Sequence, residues 1–206
     1  HKEYRRQRQM CIRDRNTVLD LIYRLLAHPT DAMSNVTTGE KMKESSIIWG
    51  FVVLLLALSS VEAGSFVTAF LASFVGTGSL LLIHSAVVDY ISGLLGGRGT
   101  ARGITAGFMC ASIPYAFSVF FSLIGQFGLD GIHKFAVFAI VVWSFFLDIL
   151  AIRANYGFGK GKAFFISISP FLLCGMLITA LFVIGIMTAL AGISELQDVE
   201  GIINSF

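Results

Sequence analysis

Six ionisable side chains lie within or next to long apolar stretches of the chain, where a charge is costly enough to make each a candidate for function. They are His84, Asp89, Arg98, Arg102, Asp148 and Arg153. The two aspartates could pair with the arginines and hold neighbouring helices together, or they could take part in moving protons or cations. Both lie near the ends of their apolar stretches, which favours structural pairing. A metal site would need more ligands than one histidine and two carboxylates, so no metal or cofactor is predicted.

The apolar stretches also lack the short motifs that commonly carry hydrolytic chemistry. Neither Gly-x-Ser-x-Gly nor His-Glu-x-x-His occurs in the chain, and these are the patterns of serine hydrolases and zinc proteases. No catalytic residue is predicted, and an enzyme is the least favoured class of function.

Five apolar stretches must position these residues, and each is near or above the ~20 residues that cross a bilayer core as a helix. They cover residues 47–63, 66–95, 104–127, 135–152 and 164–192. Charged residues make up 14% of the chain, whereas about 25% is usual in a soluble domain. Continuous apolar runs also exclude the alternating pattern of a transmembrane β-barrel. The predicted fold class is all-α: a polytopic membrane protein built as a five-helix transmembrane bundle.

Residues 1–15 form a basic, aperiodic segment that ends in Met-Cys-Ile-Arg-Asp-Arg. That ending resembles the translation of a sequencing-library adapter, so the segment is predicted to be adapter-derived and not native. A genuine basic tail attracted to anionic lipid is the alternative. The segment holds six of the 15 Lys/Arg and two of the 13 Asp/Glu, so without it the net charge changes from +2 to −2. The basic balance is therefore no argument for a nucleic-acid partner.

The remaining flanks are short. Residues 16–46 are predicted to be cytosolic, with an amphipathic helix over 16–26 followed by a polar connector over 30–46. The helix could pack on the membrane domain or lie in the interface, which we favour, or it could dock a cytosolic partner. Residues 47–192 form the membrane domain, and residues 193–206 are a short acidic C-terminal tail.

Positive charge alternates between the segments that join the apolar stretches. If the N-terminus is cytosolic, the inner segments hold eight Lys/Arg and the outer ones hold Lys134 alone. The eight are Arg24, Lys41, Lys43, Arg98, Arg102, Arg153, Lys160 and Lys162. Cytosolic loops carry the excess of Lys/Arg, so the N-terminus is predicted inside and the C-terminus outside.

A glycine-rich segment over residues 93–103 is the most distinctive local motif, with Gly96, Gly97 and Gly99 at its centre. It lacks the Gly-Lys-Ser/Thr ending of a phosphate-binding loop, so a tight hairpin between two helices explains it sufficiently. Farther on, Pro114 and Tyr115 lie inside the third apolar stretch, where the proline is predicted to kink the helix. Prolines are expected to break the third and fifth spans alike.

Four features, in this order, resemble the Yip domain family of small five-span proteins, which are named for interacting with Ypt/Rab GTPases. They are the helix ending in a proline at residues 21–30, the glycine-rich turn at 94–99, the stretch at 110–115, and the run from Trp143 to the Gly/Lys segment at 157–163. The resemblance covers residues 17–190. It implies a membrane protein without catalytic residues. Short members of the family are prokaryotic, whereas eukaryotic members belong to the Golgi and endoplasmic reticulum.

The sequence therefore predicts a non-enzymatic membrane scaffold or adaptor with a trafficking-like or membrane-organising role. Its environment is the lipid bilayer of a prokaryotic cytoplasmic membrane, or of the endoplasmic reticulum or Golgi in a eukaryote. A protein partner would bind through the cytosolic loops, and homo- or hetero-oligomers are compatible with the pattern. The alternative is a small transporter or channel that uses the aspartates and the histidine within the membrane.

Overall fold

A computed structural model describes residues 17–39, 41–59 and 65–203, and it is helical throughout its regular elements. The helices are α1 (Thr17–Ala27), α2 (Pro29–Thr38), α3 (Met42–Ser59), α4 (Phe66–Leu94), α5 (Ala101–Ala111), a 3₁₀ segment (Ile113–Phe117), α6 (Ser118–Gln126), α7 (Asp130–Tyr156) and α8 (Lys160–Ile203). No strand occurs in these three ranges. The predicted all-α fold class is confirmed. The segment 1–15 and residues 204–206 lie outside the described residues.

Five apolar helical segments are long enough to cross a bilayer. They run over Met42–Ser59, Phe66–Leu94, Ala101–Gly125, Asp130–Tyr156 and Lys160–Ala189. Each corresponds to one predicted apolar stretch, so the chain is a multi-pass membrane protein. Helices α3, α7 and α8 begin four or five residues before the predicted apolar stretches, because their polar first turns continue the helix. Helix α8, which contains the fifth apolar segment, also runs on to Ile203, into the segment predicted as an acidic tail.

The N-terminal flank is more ordered than the sequence suggested. The amphipathic helix α1 is present, and it buries Leu21 and Leu25 against α2 and α3. The predicted polar connector contains a second helix, because α2 begins at Pro29, separated from the end of α1 by one residue. Proline is well suited to a first helical position, where its missing N–H is not needed. Helix α2 buries a small apolar face that includes Met33 and Val36.

The third span is interrupted where the proline lies. Helix α5 ends at Ala111, the backbone tightens into a 3₁₀ turn over Ile113–Phe117, and α6 continues from Ser118. Pro114 has no N–H to donate to the preceding turn, which explains the break. The predicted kink in span three is confirmed. The expected break in span five is wrong, since α8 runs continuously past Pro170.

The core is formed chiefly by α2, α3, α5 and α7, with α1 packed on its outside. Its largest fully buried side chains include Ile48 from α3, Ile104 from α5 and Ile152 from α7. Helix α4 joins this group mainly through its second half, where Val88 is buried. The first half of α4 presents apolar side chains outward, as a lipid-facing helix does.

The chain divides after Ser167 into two compact units. Residues 1–167 contain the core described above. In the second unit, residues 168–189 form one continuous apolar stretch of α8, and its large side chains are exposed.

Candidate functional site

One end of the first unit gathers polar and glycine residues from three segments. The loop between α4 and α5 (residues 95–100), the α7–α8 junction (155–162) and the α2–α3 junction (37–44) all meet there. We call this region the glycine-loop end. The contacts below show that the loop is held in a defined conformation by groups from α4, α7 and α8.

The loop leaves α4 through a glycine in the left-handed region. Gly96 has a φ of 79°, which favours glycine because it has no Cβ. Its N–H donates to the carbonyl of Gly93 at 3.0 Å, and the N–H of Gly97 donates to the carbonyl of Ser92 at 2.9 Å. This pair of bonds is the Schellman ending, which satisfies carbonyls at the end of a helix. The predicted glycine hairpin therefore has a concrete geometry.

Gly97 and Gly99 are glycines for a different reason, which is close packing against the end of α7. A Cβ on Gly97 would lie 2.8 Å from the Phe158 ring, and one on Gly99 would lie 2.5 Å from both Asn155 Nδ2 and Tyr156 Cδ1. Such distances leave no room for a methyl group. The loop backbone is thus pressed against residues that follow or end α7.

Asn155 holds the backbone of Thr100 with both ends of its side-chain amide. Its Nδ2 donates to the carbonyl of Thr100 at 2.9 Å, and its Oδ1 accepts from the N–H of Thr100 at 3.4 Å. The hydroxyl of Thr100 in turn accepts from the N–H of Gly103 at 3.0 Å. Thr100 is therefore the N-cap of α5, and Asn155 fixes the position of that cap relative to α7.

Tyr156 connects the same end of α7 to α4. Its hydroxyl donates to Asp89 Oδ1 at 2.6 Å, joining residues that are 67 positions apart. The predicted pairing of the aspartates with Arg98, Arg102 or Arg153 is not found in the described residues, where the one ion pair joins Asp20 and Arg24. The partner of Asp89 is a phenol and not the expected arginine. Tyr156 is buried, whereas the side chains of Arg98 and Arg102 are exposed.

Lys162 closes the loop from the other side. Its ammonium donates to the carbonyl of Leu95 at 2.8 Å and lies 4.3 Å from the centroid of the Phe158 ring. That ring stacks on Tyr156, with centroids 5.8 Å apart. The Leu95 carbonyl at the end of α4 thus accepts a hydrogen bond from the Lys162 ammonium of α8. The rings of Tyr156 and Phe158 pack against Gly97.

Small residues bring α5 close to its neighbours beyond the loop. A Cβ on Gly103 would lie 2.6 Å from the carbonyl oxygen of Thr37 in α2, and one on Gly107 would lie 2.8 Å from Ala151 Cβ in α7. Spacing of small residues by four is how membrane helices approach each other closely. These two glycines explain how α2 enters the core although its own residues are mostly polar.

Basic side chains remain exposed beside this interlocked backbone. A cleft of about 650 Å³ is lined by Lys41, Lys43, Glu44 and Arg102, together with Gly39 and Met42. Arg98 is also exposed. The described lining residues therefore carry three cationic groups and one carboxylate.

A second polar group lies deeper in the bundle, between the third and fourth spans. Ser144 Oγ donates to the carbonyl of Ala111 at 2.8 Å, a carbonyl left free where α5 ends before Pro114. Tyr115 interacts with Ser144 and electrostatically with Asp148. Asp148 is two turns before Tyr156, about 12 Å along the helix, so the structure does not bring it to the glycine-loop end.

His84 belongs to neither group. Its ring packs on Phe108, with centroids 4.6 Å apart, and it is half-buried. Within the described residues, no three His, Cys, Asp or Glu side chains come close enough to hold a metal ion. The described residues of the glycine-loop end position the loop backbone and present cations.

A comparison with protein families identifies the chain. The family model described as the Yip1 domain matches residues 23–192. This chain belongs to the Yip1 domain family. Curated proteins and solved structures gave no match to it.

The Yip1 match spans all five apolar helical segments and both polar groups described above. It confirms the family resemblance drawn from the sequence. Its range includes α2, so the helix that the sequence reading treated as a connector is part of the matched Yip1 domain.

Sequence reasoning missed Asn155, Tyr156, Thr100 and Lys162 as parts of the site. One signal could have pointed to them. Gly157 directly follows Tyr156, and its φ of 71° is left-handed. Its N–H donates to the carbonyl of Arg153 where α7 ends. An Asn-Tyr-Gly sequence at a helix end places two polar side chains where the next loop must pass.

Proposed function

We propose that this Yip1-family protein is a non-enzymatic membrane adaptor, with the glycine-loop end as its partner-binding surface. One observation carries the proposal. Asn155 and Lys162 hold backbone carbonyls of the loop, and Tyr156 ties the end of α7 to Asp89 in α4. Arg98 and Arg102 stay exposed. A loop held by such contacts, with exposed cations beside it, suits recognition of a partner better than it suits chemistry.

The orientation of this end follows from charge. Lys41, Lys43, Arg98 and Arg102 all belong to it, and short loops rich in Lys/Arg remain in the cytosol. We therefore propose that the glycine-loop end faces the cytosol, where a soluble partner could reach it.

The charge of the cleft indicates the kind of partner. Among the described lining residues, Lys41, Lys43 and Arg102 outnumber the carboxylate of Glu44. An acidic protein segment would complement that balance, and complementary charge mainly adds specificity and a faster association rate. Binding through these groups should weaken as salt rises, because exposed charges are screened.

Site-specific photo-cross-linking in intact membranes tests the adaptor proposal. A cross-linking amino acid placed at Arg98 should capture a discrete protein, whereas the same residue at Lys134 should not. Capture should fall when Arg102→Gln and Lys43→Gln are added, and it should fall in high salt. Equal capture from both positions, or capture insensitive to the two charges, would contradict the proposal.

The second candidate function is transport of a proton or cation. It is favoured by one observation, the grouping of Tyr115, Ser144 and Asp148 beside the interrupted third span. Flux into liposomes containing the purified protein separates the two functions. We expect no flux above that of protein-free liposomes. A proton or cation flux that Asp148→Asn abolishes, while Asp89→Asn does not, would favour the transporter.

A further inference from the structure

A second cleft opens on the side of the bundle where the end of α7 meets the start of α8. It has a volume of about 450 Å³ and is lined by Phe146, Ile149, Leu150, Arg153, Lys160, Gly161 and Phe164. We call it the Arg153 cleft. All of these residues belong to the first unit. The cleft shares no lining residue with the basic cleft of Lys41 and Arg102, so it is a separate site.

Its wall is apolar and aromatic. Phe146 and Phe164 are exposed, at 59% and 41% of their surface, and Leu150 is half-buried between the helices. No acidic residue lines it. A small hydrophilic ion would leave this apolar surface uncovered, whereas an acyl chain would cover it.

Its polar groups are two cations. Arg153 lies in the last turn of α7, and Lys160 begins α8. Arg153 is half-buried, and its Nε is buried without a hydrogen-bond partner. A buried donor left unsatisfied costs free energy, more so on a charged group. An anionic oxygen in the cleft would satisfy it, and a planar guanidinium is well shaped to bind phosphate.

The depth of these groups in the membrane fits the same ligand. Both cations lie where two spans begin or end, and therefore near the level of lipid headgroups. The apolar residues Phe146, Ile149 and Leu150 precede Arg153 by one to two turns of α7, toward the hydrocarbon. Basic pockets beside membrane helices commonly hold anionic headgroups.

We propose that the Arg153 cleft is a binding site for one anionic phospholipid. Arg153 and Lys160 hold the phosphate, and an acyl chain lies along Phe146, Leu150 and Phe164. This proposal is independent of the adaptor function, because it uses other residues and another ligand.

Lipid titration of the purified, delipidated full chain in detergent tests the proposal, with binding measured by native mass spectrometry and by the shift in unfolding temperature. We expect phosphatidylglycerol to bind in a one-to-one complex and to raise the unfolding temperature. Phosphatidylcholine should bind at least tenfold more weakly, since its headgroup has no net charge. Glycerol 3-phosphate, which carries the phosphate without acyl chains, should give no shift.

Three variants locate the site. Arg153→Gln and Lys160→Gln should each weaken phosphatidylglycerol binding about tenfold, the effect of one charge-assisted contact. Leu150→Trp should fill the apolar part of the cleft and reduce binding with both cations present. Lys134→Gln removes a cation outside the cleft and is the matched control, for which binding should not change.

Several outcomes would overturn the proposal. Equal binding of phosphatidylglycerol and phosphatidylcholine would mean that the cations do not hold a phosphate. If glycerol 3-phosphate binds as tightly as phosphatidylglycerol, the cleft is a site for free anions and not for a lipid. If Arg153→Gln does not fold, unchanged binding in both Lys160→Gln and Leu150→Trp is sufficient to reject the site.

Discussion

Tyr156 donates a hydrogen bond of 2.6 Å to Asp89 and thereby ties the last residue of α7 to the final turns of α4. Tyr156 is 6% exposed, so its hydroxyl has little access to water as an alternative partner. Hydrogen bonds that involve a charged group contribute more than neutral ones. This bond is therefore expected to be a main support of the glycine-loop end.

Tyr156→Phe removes that hydroxyl and keeps the ring that covers the loop. We expect a loss of about 1–2 kcal/mol in the free energy of unfolding, between the values for charged bonds in soluble proteins and for bonds between membrane helices. The measurement is thermal or denaturant unfolding in detergent micelles.

Asp89→Asn provides the matched test of the pair. Residues in contact lose their shared interaction only once, so the double variant should be less destabilised than the sum of the two single ones. Arg98→Gln, whose side chain is exposed, should add its effect independently. Additive losses for Tyr156 and Asp89, or coupling of Asp89 to Arg98 instead, would contradict this assignment.

Gly99→Ala tests whether the loop must be glycine because of packing. The added methyl would lie 2.5 Å from Asn155 Nδ2, so the loop or the end of α7 has to move. Overpacking of this kind costs about 1–3 kcal/mol. The unfolding temperature in detergent should fall accordingly.

Gly93→Ala is the control for Gly99→Ala. A Cβ there would meet nothing within 4 Å, and Gly93 is in the last turn of α4, where alanine is the better helix former. Its stability should stay the same or rise. Equal losses at the two positions would mean that loss of flexibility, and not packing, explains the glycines.

The sequence predicted the membrane fold well because one property, the length of apolar stretches, decides it. Each of the five stretches was found in the place where the structure has a helix. Helix α2 was not predicted, since its buried face has only three apolar residues, Ala32, Met33 and Val36, in a mostly polar segment. Gly103 and Gly107 make that packing feasible, and they lie about 70 residues away.

The candidate site was predicted only in the parts that depend on local sequence. The glycine loop, and Asp89 as a candidate for function, could be read locally from residue type and position. The partner of Asp89 could not, because Tyr156 is 67 residues away and an arginine is the more obvious partner for a carboxylate. Register between two membrane helices is set by side-chain packing, which the apolar pattern does not encode.

Thr100→Ala tests the cap of α5. The hydroxyl accepts from the N–H of Gly103 at 3.0 Å, and loss of an N-cap acceptor costs about 0.5–2 kcal/mol. Thr100→Ser keeps the acceptor and should lose little. If both variants unfold at the same temperature, the backbone contacts from Asn155 hold this end without help from the cap.

The last prediction concerns the direction of the chain in the membrane. Lys43, Thr100 and Lys160 are exposed at the end of the bundle where α3, α5 and α8 begin, and Gly131 is exposed near the start of α7. A helix that crosses the bilayer places its two ends on opposite sides, so Gly131 must be on the other side from these three. The bias of Lys/Arg assigns the three to the cytosol.

Single cysteines at these four positions, in a background with Cys11, Cys110 and Cys174 changed to serine, can be labelled in intact cells. A membrane-impermeant maleimide should react with the cysteine at Gly131 from outside. The cysteines at Lys43, Thr100 and Lys160 should react only after the membrane is opened. Reaction of the Thr100 position from outside would reverse the orientation, and with it the proposal that a cytosolic partner binds the glycine-loop end. Labelling of Thr100 and Gly131 from the same side would mean that the third span, Ala101–Gly125, does not cross the membrane.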